Sequence, residues 1–326
     1  MKPARRSLLS AVALLTLACA APYGYAQWAP TRPVRLIVPY PAGGPLDTAA
    51  RLLAQRVSAR WAQAVVVENI AGAGGNIGAA AVAKATADGH TLLMGAVATH
   101  AINPSLYASM PYDAAKDFIA VTQVASTPNV LVVNSQVPAQ SVADLVAYAR
   151  AKPGGLNYGS GSTGSAGHLA GELFNSLAGV RMVHVPYKGA PAAMQDLIGG
   201  RIDLMFDNLA SSLSQVKAGR IRALAVTTAK RTPLAPDLPT LVESGLPGFD
   251  ISTWVGIFVP AGTPKAAVDR IHADFTRALA EPEVREKLLG MGADSVGSTP
   301  EAFAAFVAAE ASKYARLVKA SGAKAD

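Results

Sequence analysis

"VRLIVPYPAGGPLDTAARLLAQRVSARW", residues Val34 to Trp61, changes its apolar period once, and that change decides the fold class. Val34 to Val38 is a short β-branched run that reads as a strand, and the proline and glycine cluster after it reads as a turn. Leu46, Ala50, Leu53, Val57 and Trp61 then recur every third or fourth residue, which lays one apolar stripe along a helix. A strand, a glycine turn and a helix in that order form the repeating unit of an α/β sheet.

The alternation continues along the chain. Further strands are expected at Val65 to Glu68, Thr91 to Met94, Val130 to Val133, Leu156 to Tyr158, Met182 to Val185, Leu204 to Phe206 and Ala223 to Thr227, with helical stretches between them. The predicted class is therefore α/β with mainly parallel sheets flanked by helices, and ligands of such sheets sit at the C-terminal ends of the strands. Thr263-Pro264 and Thr299-Pro300 read as N-cap plus first-turn proline, and Ser141 with Asp144 reads as a capping box. The proline- and glycine-rich stretch Leu234 to Gly248 reads as a passage between domains, with a second passage near Val124 to Asn129. Two passages divide the mature chain into a lobe of residues 27–126 plus 250–326 and a lobe of residues 127–249, with a ligand cleft between them.

The N-terminus reads as an export leader. Lys2, Arg5 and Arg6 precede an apolar run from Leu8 to Ala21, and Gly24 and Ala26 suit a cleavage that leaves residues 1–26 behind and starts the mature chain at Gln27 in the periplasm. Lipidation at Cys19 is the alternative, weakened by the bulk of Thr16-Leu17 before it. Cys19 is the sole cysteine, so a mature chain without it has no disulfide, no thiolate nucleophile and no cysteine-bound metal. Removing three basic residues with the leader leaves 26 basic against 22 acidic side chains, a net charge of +4. The basic residues are dispersed and aromatics are few, so nucleic acid is not the expected partner.

Three chemistries compete for "YGSGSTGSAGHLAGELF", Tyr158 to Phe174. The first is a serine nucleophile, because "TGSAG" at Thr163 to Gly167 resembles a nucleophile elbow with Thr163 where glycine belongs. A β-branched residue fits that sharp turn poorly, and His168 follows too closely for the hydrolase order, so only His184 or His272 could act as base; a secreted hydrolase using Ser165 or Ser162 is the alternative reading. The second is a nucleotide phosphate, suggested by "VVVENIAGAGGNIGAAAVAKA", Val65 to Ala85. Ile77 stands where the third glycine of a dinucleotide fingerprint should fall, and the next strand ends without an acid for a ribose hydroxyl. Metals fare no better: His90, His100, His168, His184 and His272 include no close pair. No cofactor and no metal are expected.

The third is capture of an anion by helix N-termini, whose unpaired amides and partial positive charge favour a carboxylate. Glycine-bearing helix starts follow Val38, Glu68 and Tyr158. Asp47 and Arg51 read as a surface ion pair on the first helix, four residues apart. Tyr40, Thr99, His100, Asp207 and Asn208 stand at strand ends where a cleft would lie.

Several stretches together carry a resemblance. "PYPAGGPLDTAAR" (Pro39 to Arg51), "GAGGNIGA" (Gly72 to Ala79), "HAINPSLY" (His100 to Tyr107), the Tyr158 to Phe174 stretch, "HVPYKGAPAAMQDLIGGRIDLMFDN" (His184 to Asn208), "GRIRALAVTT" (Gly219 to Thr228) and "PDLPTLVESGLPGF" (Pro236 to Phe249) resemble the Bug, or TctC-like, periplasmic solute-binding proteins of tripartite tricarboxylate transporters. The resemblance implies a two-lobe, non-catalytic, monomeric receptor. It would close on a small organic carboxylate and deliver it to a membrane permease made of a large and a small subunit. It places the ligand on Tyr40, Ala42, Gly43 and Gly44, on Gly161, Ser162, Thr163 and Ser165, and on Asp207 and Asn208. Asn76 in the second glycine loop and Thr99 after the third strand complete the candidate set.

Overall fold

The structure is a computed structural model and describes residues 28–325. The leader of residues 1–26, its cleavage near Ala26 and the Cys19 alternative lie outside the described residues.

The chain runs β1 (Val34–Val38), α1 (Pro45–Trp61), β2 (Val65–Asn69), α2 (Asn76–Ala83), β3 (Thr91–Ala96), α3 (Asn103–Leu106) and β4 (Phe118–Asn134). It continues through α4 (Val142–Ala151), β5 (Asn157–Ser160), α5 (Ala166–Ala178), β6 (Val183–Pro186), α6 (Ala190–Ile198), β7 (Leu204–Asn208), α7 (Leu209–Lys217) and β8 (Ile221–Val226). The last part is β9 (Ser252–Pro260), α8 (Lys265–Leu279), α9 (Pro282–Gly290), β10 (Asp294–Ser295) and α10 (Pro300–Ser321).

The apolar stripe of Ala50, Leu53, Val57 and Trp61 is the buried face of α1. The Trp61 Nε1–H donates to Asp274 Oδ2 at 2.7 Å, which ties α1 to α8. Leu46 is half-buried: it packs against the same apolar cluster and also lines the cavity at the start of the helix. Ser141 and Asp144 form the reciprocal capping box, and Thr299 caps α10. At α8 the expected cap shifts by one residue. Pro264 is the cap, and the Thr263 hydroxyl instead donates to Pro260 O at 2.7 Å.

The strands form two groups around one long connection. Three parallel strands, β2-β1-β3, continue antiparallel into β9, and β6-β5-β7 form a second parallel set. The 17-residue β4 belongs to both groups: Phe118 to Pro128 pair with β9, and Asn129 to Asn134 pair with β7 and β8. A strand that leaves one half and a strand that returns to it run in opposite senses, so their mutual pairing is antiparallel and each sheet is mixed. The register shifts near Ala120 and Gln123 add local twist as β4 passes across.

The Leu234 to Gly248 segment lies beside β8, where Val226 N donates to Pro239 O and Leu241 N donates to Val226 O. The chain reaches β9 only at Ser252. Thr227 stitches this point. Its amide donates to Asn129 O (2.9 Å), its carbonyl accepts from Ile251 N (2.9 Å), and its hydroxyl lies 2.6 Å from Ile251 O and 3.0 Å from Asn129 O.

Helix α10 seals the back of the crossing strands. Trp254 on β9 is fully buried, edge-on to Phe303, and its Nε1–H donates to Glu310 Oε2 at 2.9 Å. Glu310 also pairs with Lys313, whose ammonium donates to Asp250 O at 2.6 Å. Burial pushes the Glu310 carboxyl up, and Lys313 opposes that shift. Trp254→Ala would empty a packed site and deprive a buried carboxylate of a donor, so it is expected to cost roughly 3–5 kcal/mol in denaturant unfolding. A loss under about 1 kcal/mol would show that α10 is not held through this residue.

Candidate functional site

Between the two strand groups lies a cavity of about 430 Å³. The first half contributes Tyr40 at the end of β1, Pro45, Leu46 and Ala49 of α1, the Ala96 to Ala98 turn after β3, and Leu288, Met291 and Ala293 around the end of α9. The crossing strands contribute Ala125, Thr127, Thr253 and Val255, and the second half contributes Asn208, Ala210 and Ser211. Among the described residues no lysine, arginine, histidine, aspartate or glutamate lines this surface, so its polar groups are neutral. Burial pushes the Tyr40 hydroxyl up to about 12, so it remains a protonated donor at physiological pH.

The structure sorts the sequence-derived candidates into three groups. Tyr40 and Asn208 line the cavity together. Ala42, Gly43 and Gly44 lead into its Pro45-Leu46 wall, but the Gly43 amide already has a partner. It donates to Asp47 Oδ2 at 2.9 Å. Asp47 is therefore no surface ion-pair member: it is 3% exposed, and it also accepts from Arg51 Nε and Asn69 Nδ2 at 2.9 Å each. The Arg51 guanidinium first, then the Gly43 and Asn69 bonds, hold its carboxyl down to about 2 against the opposing effect of burial. The protein's own carboxylate thus occupies the start of α1 and fixes the glycine loop.

Asn76 and Thr99 form the second group, with side chains engaged internally. Asn76 Oδ1 accepts from Asn103 Nδ2 (2.7 Å) and from the Tyr112 hydroxyl (3.0 Å). The fully buried Thr99 hydroxyl accepts from Ala96 N (3.1 Å) and lies 2.9 Å from His100 Nδ1. These residues brace the second glycine loop and the turn after β3 behind Tyr40.

The third group stands at the start of α5. Ser162 and Thr163 are exposed at the loop tip, Gly161 O accepts from Gly189 N, and Ser165 caps α5 through His168 N. Gly164, at φ +77°, approaches Leu106 of the other half so closely that a Cβ would stand 2.5 Å from Leu106 Cδ2. Its amide donates to His168 Nδ1 at 3.0 Å, so that nitrogen carries no proton and the proton resides on Nε2. His168 stacks on His184 at 3.8 Å, and His184 Nε2 lies 2.7 Å from Ser160 Oγ. The serine beside the imidazole is thus the buried Ser160, not Ser162 or Ser165. The Ser165 hydroxyl donates to Ser162 O at 2.7 Å.

Asp207 and Asn208 diverge, as neighbours on a strand must. Asn208 faces the cavity, while Asp207 is buried and accepts from Ser211 Oγ (2.7 Å), anchoring the first turn of α7. Burial pushes the Asp207 carboxyl up. Opposite Asn208 across the β4–β7 ladder stands Asn129, 2% exposed, whose Oδ1 is buried without a partner. Thr127, Thr253, Ser211 and Met291 entered no sequence-based candidate set, because strand alternation and helix spacing say nothing about which distant segments meet.

The halves also touch outside the cavity. Gly292 abuts Ala210 at the start of α7, and the Thr232 hydroxyl donates to Asp294 Oδ2 at 3.2 Å. Among the described residues no cluster of three or more histidine, aspartate or glutamate side chains is arranged to hold a metal, and no helix is long and apolar enough to cross a membrane.

Residues 49–323 match the family described as tripartite tricarboxylate transporter family receptor. The chain is 37% identical to Protein BugT of Bordetella pertussis over 312 residues, 95% of each chain. Among solved structures it is similar to R. palustris Rpa4515 with adipate, at 42% identity and TM-score 0.76, covering 90% of this chain and 98% of that one. It is also similar to MatC of Rhodopseudomonas palustris with bound malate, at 34% identity and TM-score 0.72, covering 89% and 99%.

The stacked imidazoles generate a pH prediction. Burial lowers both His168 and His184 to about 4, with His168 adding to the effect on His184, against an unfolded value of 6.5. Between those limits the unfolded chain binds protons that the folded chain does not, so stability rises with pH. The contribution is complete above about 6.5 and is lost as pH falls through about 4. Denaturant midpoints measured from pH 7 to pH 4 should fall steadily, and His168→Gln should flatten the slope. An unchanged slope would show that His168 titrates alike in both states.

Proposed function

The chain belongs to the tripartite tricarboxylate transporter receptor family, and from that premise we propose that it captures a small organic carboxylate in the interlobe cavity and delivers it to a permease with a large and a small membrane subunit. The observation that carries this reading is a cavity between two halves furnished with neutral donors. Similar proteins with bound adipate and malate support the ligand class. We assign residues 27–126 and 250–326 to one lobe and 127–249 to the other, and residues 1–26 to a leader that directs the receptor to the periplasm.

In this reading Tyr40 and Asn208, with the first-turn amides of α7 that the Ser211–Asp207 bond holds in place, meet the carboxylate. The loops at Ala42 to Gly44 and Gly161 to Ser165 complete the rim when the lobes close. A helix terminus supplies at most ~2 kcal/mol to a carboxylate, whereas micromolar affinity needs ~8 kcal/mol. Neutral hydrogen bonds and burial of the ligand's apolar surface must furnish the rest, and closure makes both stronger by excluding water. The hydrolase alternative lacks a base, since neither Ser162 nor Ser165 is bonded to an imidazole among the described residues.

Calorimetric titration of residues 27–326 with mono-, di- and tricarboxylates and aromatic acids, run beside ester and amide turnover assays, tests the proposal. Saturable binding of at least one acid without turnover is expected. Turnover abolished by Ser165→Ala, with no acid bound, would replace the receptor by a hydrolase. Closure has its own test at Gly292, where any side chain would strike Ala210. Gly292→Val should weaken the bound acid at least tenfold with an unchanged circular dichroism spectrum, and undiminished affinity would show that binding does not need these surfaces to meet.

A further inference from the structure

The cavity that serves the proposed receptor has two chemically different walls, and their contrast narrows the ligand. One wall is polar and comes from the crossing strands and the second half: Thr127, Thr253, Asn208 and Ser211. Thr127 and Thr253 face each other across the β4–β9 ladder, and the buried, unpartnered Asn129 Oδ1 stands beside Asn208. The other wall is built by α1 and the end of α9, where Leu46, Ala49, Leu288, Met291 and Ala293 present no donor and no charge. These side chains belong to the apolar cluster that packs α1 and α9 on the first sheet, so the wall is continuous with the core behind it.

The cations nearest in sequence to that wall point elsewhere. Arg51 and Lys287 line a groove on the outside of α1 and α9 that shares only Met291 with the cavity, so Met291 stands between them and the ligand space. Arg51 is held by Asp47 and Asn69, and Lys287 by Glu283 at 2.8 Å. A ligand whose first carboxylate meets the polar wall therefore projects its far end against hydrocarbon. A second carboxylate there would be stripped of water with no counter-charge, and burying an unpaired charge is strongly unfavourable.

Resting on the carboxylate-receptor reading, we propose that this chain selects monocarboxylates with an apolar aliphatic or aromatic body, and that Leu46 and Met291 are the residues that exclude a second ionised group. Rejection by an unpaired buried charge discriminates more sharply than any gain from fitted hydrocarbon, so the preference is expected to be large.

The test compares two acids of equal carbon number, hexanoate and adipate, by calorimetry on residues 27–326. The native sequence should bind hexanoate at least tenfold more tightly than adipate. Leu46→Arg, and separately Met291→Lys, should reverse or abolish that ratio by supplying the missing cation, while Asn208→Ala should weaken both acids together. Two variants at separate positions guard against one that fails to fold, as judged by circular dichroism. Adipate bound as tightly as hexanoate, or an unchanged ratio in both cation-bearing variants, would overturn the inference while leaving a carboxylate receptor intact. Failure of both acids and of every acid in the wider series would remove the receptor reading and this inference with it.

Discussion

Two strands carry the chain between the halves of this molecule; the β4–β9 ladder holds them side by side, and the backbone bonds of one threonine extend that pairing past Pro128. Thr227 bonds Asn129 on the outgoing strand and Ile251 just before the returning one. Because β4 runs unbroken through both sheets, the halves share their central strand, and any change in their relation must be absorbed close to Pro128 and Ile251. Pro128 lacks an amide proton, so a bend at that residue breaks no donor of its own. The same arrangement brings Thr127, Thr253 and Asn208 to the base of the cavity, where a ligand would sense the geometry of the crossing.

A second constraint is electrostatic. The start of α1 looks from its glycines like an open anion site, yet Asp47 fills it from within and is charge-neutralised by Arg51. The result is a loop whose Gly43 amide is bonded from within and whose neighbouring cation is already paired. In the proposed receptor, a ligand would meet hydroxyls, an amide side chain and helix-terminal N–H groups, which would hold an anion without a fixed positive charge. Such a site suits a receptor that must release what it holds, since weak neutral donors can be withdrawn together when the halves separate.

The loop before α5 is fixed by a different device. His168 accepts the Gly164 amide and stacks on His184, and the neutral form of both rings is the form that burial favours. The histidine that follows the serine-rich stretch therefore shapes that stretch instead of activating it. Gly164 needs both its positive φ and its missing side chain to lie against Leu106 of the opposite half.

The sequence by itself determined what depends on local spacing. The strand–turn–helix order, the buried face of α1, the capping box at Ser141 and the glycine loops at strand ends all follow from periodicity and backbone chemistry within a few residues. It could not reveal that Phe118 to Asn134 is one strand, because Ser126, Thr127 and Pro128 carry turn signals that only pairing with β9 overrides. Nor could it separate Asp207 from Asn208, or Asp47 from a surface ion pair, because burial belongs to the neighbours and not to the residue. Thr253, Ser211 and Met291 are far apart in the chain and unremarkable where they stand; they became one surface only when the crossing strands brought the halves together. Tertiary structure alone decided that composition, because a cavity between segments is defined by long-range contacts, which no local pattern encodes.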